Sequence, residues 1–385
     1  MKFIKNKSNK FHIGDSVAEG ILKDVLLRND QHYEEMPDVL PDRFIDILNE
    51  EKSPGSLSIK IALSMLVLTA LLPVMLIAPD VKIDFRQITE VAGTSDKKAQ
   101  AINFDTSGLE KGSRDNKPDC LVPERGTSAF FSNDVASIDA SNASEGYVIV
   151  HYTGESDKVK LQITGPTDIT YTYNLATGGG KDEVFPLPEG DGKYLICIYE
   201  NLTGTQYLTA FTKSIKVTLR DQFLPFLYPN QYVDFKKDDT AIKYAEYLSY
   251  TANSDLDVVS AIYNDLISTM SYDYEEAQSV ESGYIPDIDE VLDTRTGICL
   301  DYAVLMSAML RSQSIPTRME VGYAGTAYHA WISTYIKDIG WVNGIIQFDG
   351  KDWSLMDPTF ASTTDTDKLA SFIGDGENYK TKYVY

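Results

Sequence analysis

One segment constrains this chain more than any other: TRTGICLDYAVLMSAMLRSQSIPTR, residues 294–318. From Ile298 to Leu310 only Asp301 and Ser307 are polar, so a helix here is apolar on every side and belongs at the centre of a domain. Thr296 and Gly297 precede it and read as its capping residues. Cys299 then falls in the first turn. There, unpaired backbone N–H groups and the helix dipole stabilise an anion and lower the thiol pKa. The same N–H groups can donate to a developing oxyanion. A small apolar Cys at a buried helix end is also an ordinary core residue, so the segment alone leaves both readings open.

The residues that follow weigh the balance. IPTRMEVGYAG reads as a strand and turn, and YHAWISTYI alternates like a strand and carries His329, the only histidine of the C-terminal half. IIQFDGKDWSLMDPTF then sets Asp-Gly between two strand-like runs, a hairpin signal, and the second run ends at Asp357-Pro358. A cysteine nucleophile needs a base to take its proton, and the base needs an acceptor to fix its tautomer. Cys299, His329 and Asp357 supply all three from regular elements and are the candidate catalytic residues. Cys120, Cys197 and Cys299 lack CxxC spacing, and His12, His32, His151 and His329 have no neighbour at metal-ligand spacing. No zinc knuckle, disulfide scaffold, structural metal or cofactor is therefore expected.

Taken together, TGICLDYAVLMSAMLRSQSIPTR, HAW and MDPTF resemble the core of the transglutaminase-like superfamily, which transglutaminases share with many bacterial proteins. Four signatures stand in order: Gly297 to Ala303, Ile315 to Arg318, His329 to Trp331, and Asp357 to Thr359. The resemblance implies a papain-like α+β fold over 231–385. It also implies that Cys299 is the nucleophile, His329 the base and then acid, and Asp357 the residue that orients His329. A backbone N–H at Cys299 would be one oxyanion donor. Tyr272 stands where relatives carry an aromatic residue near the site; packing is its expected role, and a hydrogen-bond donor role is the alternative. Trp331 and Trp353 read as wall or core residues, Arg318 as structural, and Asp301 as a stabiliser of the helix start. The longer run between the His and Asp strands departs from the family pattern, so substrate preference is not carried over. No DxDxDG calcium loop is present.

Upstream, Ile61 to Ala78 run without a charge, and Leu57 and Ile59 extend the apolar stretch. About 20 apolar residues cross a bilayer as a helix, so 57–79 read as a single transmembrane anchor. Residues 1–56 then form a cytoplasmic tail whose early lysines favour that orientation, and 80–130 form a stalk. Over 131–220, GYVIVHYTG, KVKLQITGP, ITYTYNL, KYLICIYEN and SIKVTLR alternate as short strands between Gly and Pro clusters. That pattern predicts an immunoglobulin-like β-sandwich, with Cys197 in its core and His151 at a surface or edge. GGGK at 178–181 is not a phosphate loop, because Leu175 and Asp182 stand where Gly and Ser or Thr are required.

The chain has 385 residues with 35 basic against 57 acidic, a net of −22 that disfavours nucleic acid as a partner. The expectation is a membrane-anchored, transglutaminase-like cysteine acyltransferase, or a peptidase or amidase. Its C-terminal part would lie outside the cytoplasm, acting on cell-surface or cell-wall proteins and peptides. The alternative is a non-catalytic binding or scaffold module on the same fold. The oligomeric state is left open.

Overall fold

The structure, a computed structural model, describes residues 104–281, 283–324, 327–337, 339–343, 346–348, 353–355 and 379–385. The expected tail (1–56), the anchor (57–79) and Asp357 lie outside the described residues. Among the described residues no helix is long and apolar enough to cross a membrane.

The first part is built of strands: β1 (Phe130–Ser132), β2 (Ala136–Asp139), β3 (Tyr147–Tyr152), β4 (Val159–Thr164), β5 (Thr170–Leu175), β6 (Glu183–Pro186), β7 (Gly192–Thr203) and β8 (Gln206–Val217). They form two antiparallel four-stranded sheets, ordered β1-β2-β3-β6 and β5-β4-β7-β8. β5 shows why. Tyr171, Tyr173 and Leu175 are buried while their neighbours are partly exposed, the period of a sheet with one covered face. Ile138, Val148, Val150, Leu161, Ile163, Phe185, Ile196 and Ile198 from the two sheets share one core. All five strand motifs read from the sequence are present. β1, β2 and β6 are additional strands of three or four residues, too short to alternate visibly. Cys197 is buried in β7. His151 has a partner that sequence did not reveal: its Nδ1 lies 2.7 Å from Asp182, which also holds Arg125.

The second part follows a 3-10 turn at Leu224–Phe226. It comprises α1 (Thr240–Leu248), α2 (Asp255–Thr269), β9 (Ser271–Tyr272), α3 (Glu276–Ser279), α4 (Ile288–Thr294), β10 (Thr296–Gly297), α5 (Cys299–Ser312), β11 (Thr317–Ala324), β12 (Ala327–Ile336), β13 (Gly340–Asn343), β14 (Ile346–Phe348), β15 (Trp353–Leu355) and β16 (Tyr379–Val384). Every residue of α5 is buried. Helices α1, α2 and α4 pack against it, as do strands β11 and β12, so the apolar helix is the axis of this part. β14 and β15 pair antiparallel around the Asp-Gly segment, as expected. Where a stalk was read over 80–130, residues 112–119 lie along this core. Gly112 N–H donates to Tyr250, Asn116 Nδ2 to Glu246 O, and Asp119 N–H to Ser312 O. The two parts meet through tyrosine rings: Tyr232 is 4.8 Å from Tyr385 and 5.9 Å from Tyr173, centroid to centroid.

The main sheet is antiparallel in the order β13-β12-β11-β16. The last strand slots beside β11 with a register shift at Val321/Gly322. A Cβ at Gly322 would overlap the Lys380 carbonyl oxygen, which is backbone and cannot swing away. Gly322→Val is therefore expected to lower stability by about 2–3 kcal/mol in urea unfolding. Native-like stability would mean that β16 does not lie against Gly322.

Candidate active site

The segment feeding α5 is held from both sides. α4 ends on Arg295, whose φ of 53° turns the chain. The Arg295 guanidinium bonds Asp265 at 3.1 Å and Thr269 at 2.7 Å and lies over the Tyr244 ring. β10 then pairs in parallel with β9, setting Gly297 beside Tyr272. Ser271 N–H donates to Arg295 O and Asp273 N–H to Gly297 O, both at 2.9 Å. Thr296 and Gly297 are therefore strand residues, not the expected caps. The N-cap is Ile298, in extended conformation. Its side chain accepts nothing, so Asp301, three residues on, does the capping alone by accepting Ile298 N–H at 2.6 Å.

Asp301 is 0% exposed, and its other oxygen accepts the Tyr284 hydroxyl at 2.6 Å. Burial pushes its carboxyl pKa up to about 7. A Cβ at Gly297 would stand 2.6 Å from the Asp301 Cβ, so the carboxyl group lies tight under the turn.

Cys299 is the first residue of α5 and is 2% exposed. The Tyr272 hydroxyl lies near its backbone N–H. Burial, then the proximity of the Cys299 thiol, raise the Tyr272 pKa well above the ordinary tyrosine value, so this phenol is a donor at neutral pH. His329 lies in β12, which packs along α5, and is 1% exposed. It stands directly opposite Gly322 of β11, and its ring is stacked 6.2 Å from that of Trp331. Trp331 in turn meets Tyr379 of β16 edge-on at 5.0 Å. All three thiols are free; burial pushes Cys120 to about 11 and raises Cys197. Among the described residues no cluster of His, Cys, Asp and Glu could hold a metal.

Sequence reading placed Cys299 and His329 on the elements where they stand. It missed the parallel pair of two-residue strands that sets Tyr272 beside Gly297 and near the Cys299 backbone, a pairing that leaves no periodic signal. It also missed Tyr284 as the partner of Asp301, and β16 as the strand that closes the sheet.

A buried central helix that opens on a cysteine packs along an antiparallel sheet bearing a histidine, which makes this part an α+β core. Residues 242–344 match the transglutaminase-like superfamily, and this segment is a transglutaminase-like core. No curated protein matches the chain. Among solved structures, the periplasmic domain of TgpA from Pseudomonas aeruginosa, bound to ethylmercury, is similar at 14% identity and TM-score 0.27, over 62% of this chain and 78% of that one. A candidate cysteine protease from Cytophaga hutchinsonii is similar at 19% identity and TM-score 0.28, over 60% and 78%. A candidate protease from Parabacteroides distasonis is similar at 13% identity and TM-score 0.24, over 55% and 62%. At that distance no residue role is carried across.

Proposed function

We propose that residues 231–385 form a cysteine enzyme of the transglutaminase-like class, acting on peptide or protein amides through Cys299, His329 and Asp357. The observation that carries the reading is the placement of Cys299 on the first residue of α5, with Tyr272 paired beside Gly297 and its hydroxyl near the Cys299 backbone. In this reading the thiolate attacks the amide carbonyl, and the Cys299 N–H and the Tyr272 O–H donate to the oxygen that becomes negative. His329 gives its proton to the leaving amine, with Asp357 holding the imidazole. The resulting thioester is resolved by an amine, which crosslinks, or by water, which hydrolyses. The two sheets ahead of this part are read as the layers of an immunoglobulin-like sandwich that spaces it from an anchor at 57–79. The C-terminal part then faces surface proteins or cell-wall peptides outside the cytoplasm.

The burial of Cys299 and His329, at 2% and 1% exposure, favours a second reading, a non-catalytic scaffold whose thiol is plain core. Alkylation separates the two. In a Cys120→Ser/Cys197→Ser background, iodoacetamide is expected to modify Cys299 at pH 6, where a free thiol of pKa ~8.5 is almost wholly protonated. His329→Ala is expected to slow that reaction by at least about tenfold. A thiol that never reacts, or reacts like a free one with no effect of His329→Ala, sinks the enzyme reading and leaves the scaffold.

A further inference from the structure

Arg318 is held in a way that packing alone does not explain. Its guanidinium lies 3.7 Å over the Trp341 ring and 4.8 Å from the Phe226 ring, two rings that stand nearly perpendicular to each other. Stacking uses the faces of a guanidinium and leaves its N–H groups in the plane, still wanting acceptors. Among the described residues none is bonded: the side chain makes no ion pair, and its buried Nε has no partner. Ser333, directly opposite on β12 and fully buried, also has an unpartnered hydroxyl. The nearest carboxylate on this side of the strand, Glu320, is occupied by the Thr381 hydroxyl at 2.5 Å. Glu320 and Tyr171 are the titratable groups that act on the guanidinium, and both favour its charge against burial.

The strand register adds a direction. Arg318, Glu320 and Gly322 of β11 pair with Ser333, Trp331 and His329 of β12, without a bulge. Arg318 and Ser333 therefore share a sheet face with His329, four residues, or about 13 Å, along the strand.

We propose that Arg318 and Ser333 form a carboxylate-recognition subsite, selecting peptides with an acidic group about four residues from the amide presented to Cys299. The inference rests on the enzyme reading for its placement, but not for its binding chemistry. A stacked, unpaired guanidinium is a preorganised fork for a carboxylate, and the neighbouring hydroxyl adds a third donor. The carboxylate is either an acidic side chain or a peptide C-terminus.

Binding of labelled peptides, read by fluorescence anisotropy on the full chain, tests this without needing turnover. Three peptides of one sequence serve: internal Glu with an amidated end, internal Gln with an amidated end, and internal Gln with a free C-terminal carboxylate. One of the two acidic peptides is expected to bind at least about tenfold tighter than the neutral one, and which one identifies the source of the carboxylate. Arg318→Lys, which keeps the charge and loses the planar fork, is expected to abolish the preference, and Ser333→Ala to reduce it. Equal binding of all three peptides overturns the proposal, as does a preference that survives Arg318→Lys. Should Arg318→Lys fail to fold, an unchanged preference in Ser333→Ala overturns it. Cys299→Ala is expected to retain the preference. A subsite without turnover would thus count against the enzyme reading alone.

Discussion

Arg311→Met is expected to unfold the protein or to lower its stability by about 4–5 kcal/mol, the largest effect of any single substitution proposed. Arg311 lies on the last turn of α5 and is fully buried. Its three nitrogens donate to three separate stretches of chain: Nε to Thr317 O at 3.0 Å, one terminal nitrogen to Tyr228 O at 2.9 Å, the other to Tyr385 at 2.8 Å. One side chain thus ties the central helix to the start of β11, to the segment joining the two parts, and to the residue after β16. Burial pulls the guanidinium pKa down to about 9, which leaves it charged at neutral pH. Three carbonyl dipoles accept from it there. Methionine fills similar volume, so the cavity is small and the loss is chiefly the three bonds. The Thr317 and Tyr228 carbonyls lose this donor, while Tyr385 O keeps the Met319 N–H at 2.7 Å. A buried acceptor left unpaired costs about 1–3 kcal/mol before relaxation. Arg311→Lys is expected to recover little, because one ammonium cannot span three divergent acceptors. Urea unfolding followed by tryptophan fluorescence reads both variants. A loss below about 1 kcal/mol for Arg311→Met would mean that the three bonds do not clamp the fold.

The second large effect is a pH dependence. Asp301 has a folded-state pKa of about 7 against an ordinary value of 3.8, raised by burial. Between those values the folded protein keeps a proton that the unfolded chain has released. The contribution of this group to stability is therefore greatest below pH 4, falls as pH rises to about 7, and is flat above. The full swing is about 4 kcal/mol on the scale of 1.36 kcal/mol per unit. Asp301→Asn cannot ionise, yet it retains a carbonyl for Ile298 N–H. It is expected to be less stable than the native protein at pH 4.5 and to gain on it by about 2–4 kcal/mol at pH 7.5. Denaturant titrations of both proteins at the two pH values give the difference directly. A gap that does not change with pH would place the Asp301 carboxyl outside the buried turn that joins Gly297, Ile298 and Tyr284.

The elements that carry Cys299 and His329 were legible before the structure, and the reason is local. A long apolar run broken only by Asp301 and Ser307 reads as a buried helix, which puts Cys299 near the start of the central element. Alternation in YHAWISTYI made His329 a strand residue, and Asp-Gly marked the β14–β15 hairpin. The same logic found five of the eight strands of the first part. It failed on caps, because Ile298 is a poor capping residue by type and serves only through Asp301. For Arg318, alternation says which face the residue takes and nothing about whether its donors find partners there.

By itself, then, the sequence determined the elements and their sidedness: the central helix, the His-bearing strand and the two sheet-forming stretches, all set by hydrophobic period over neighbouring residues. Only the tertiary structure decided which residues meet. Tyr272 comes near the Cys299 backbone, Gly322 stands opposite His329, Arg311 gathers three strand and linker carbonyls, and Arg318 stacks on Trp341. These encounters depend on register and on segments far apart in the chain. Their energies are realised only once the fold has closed, so no local pattern carries them.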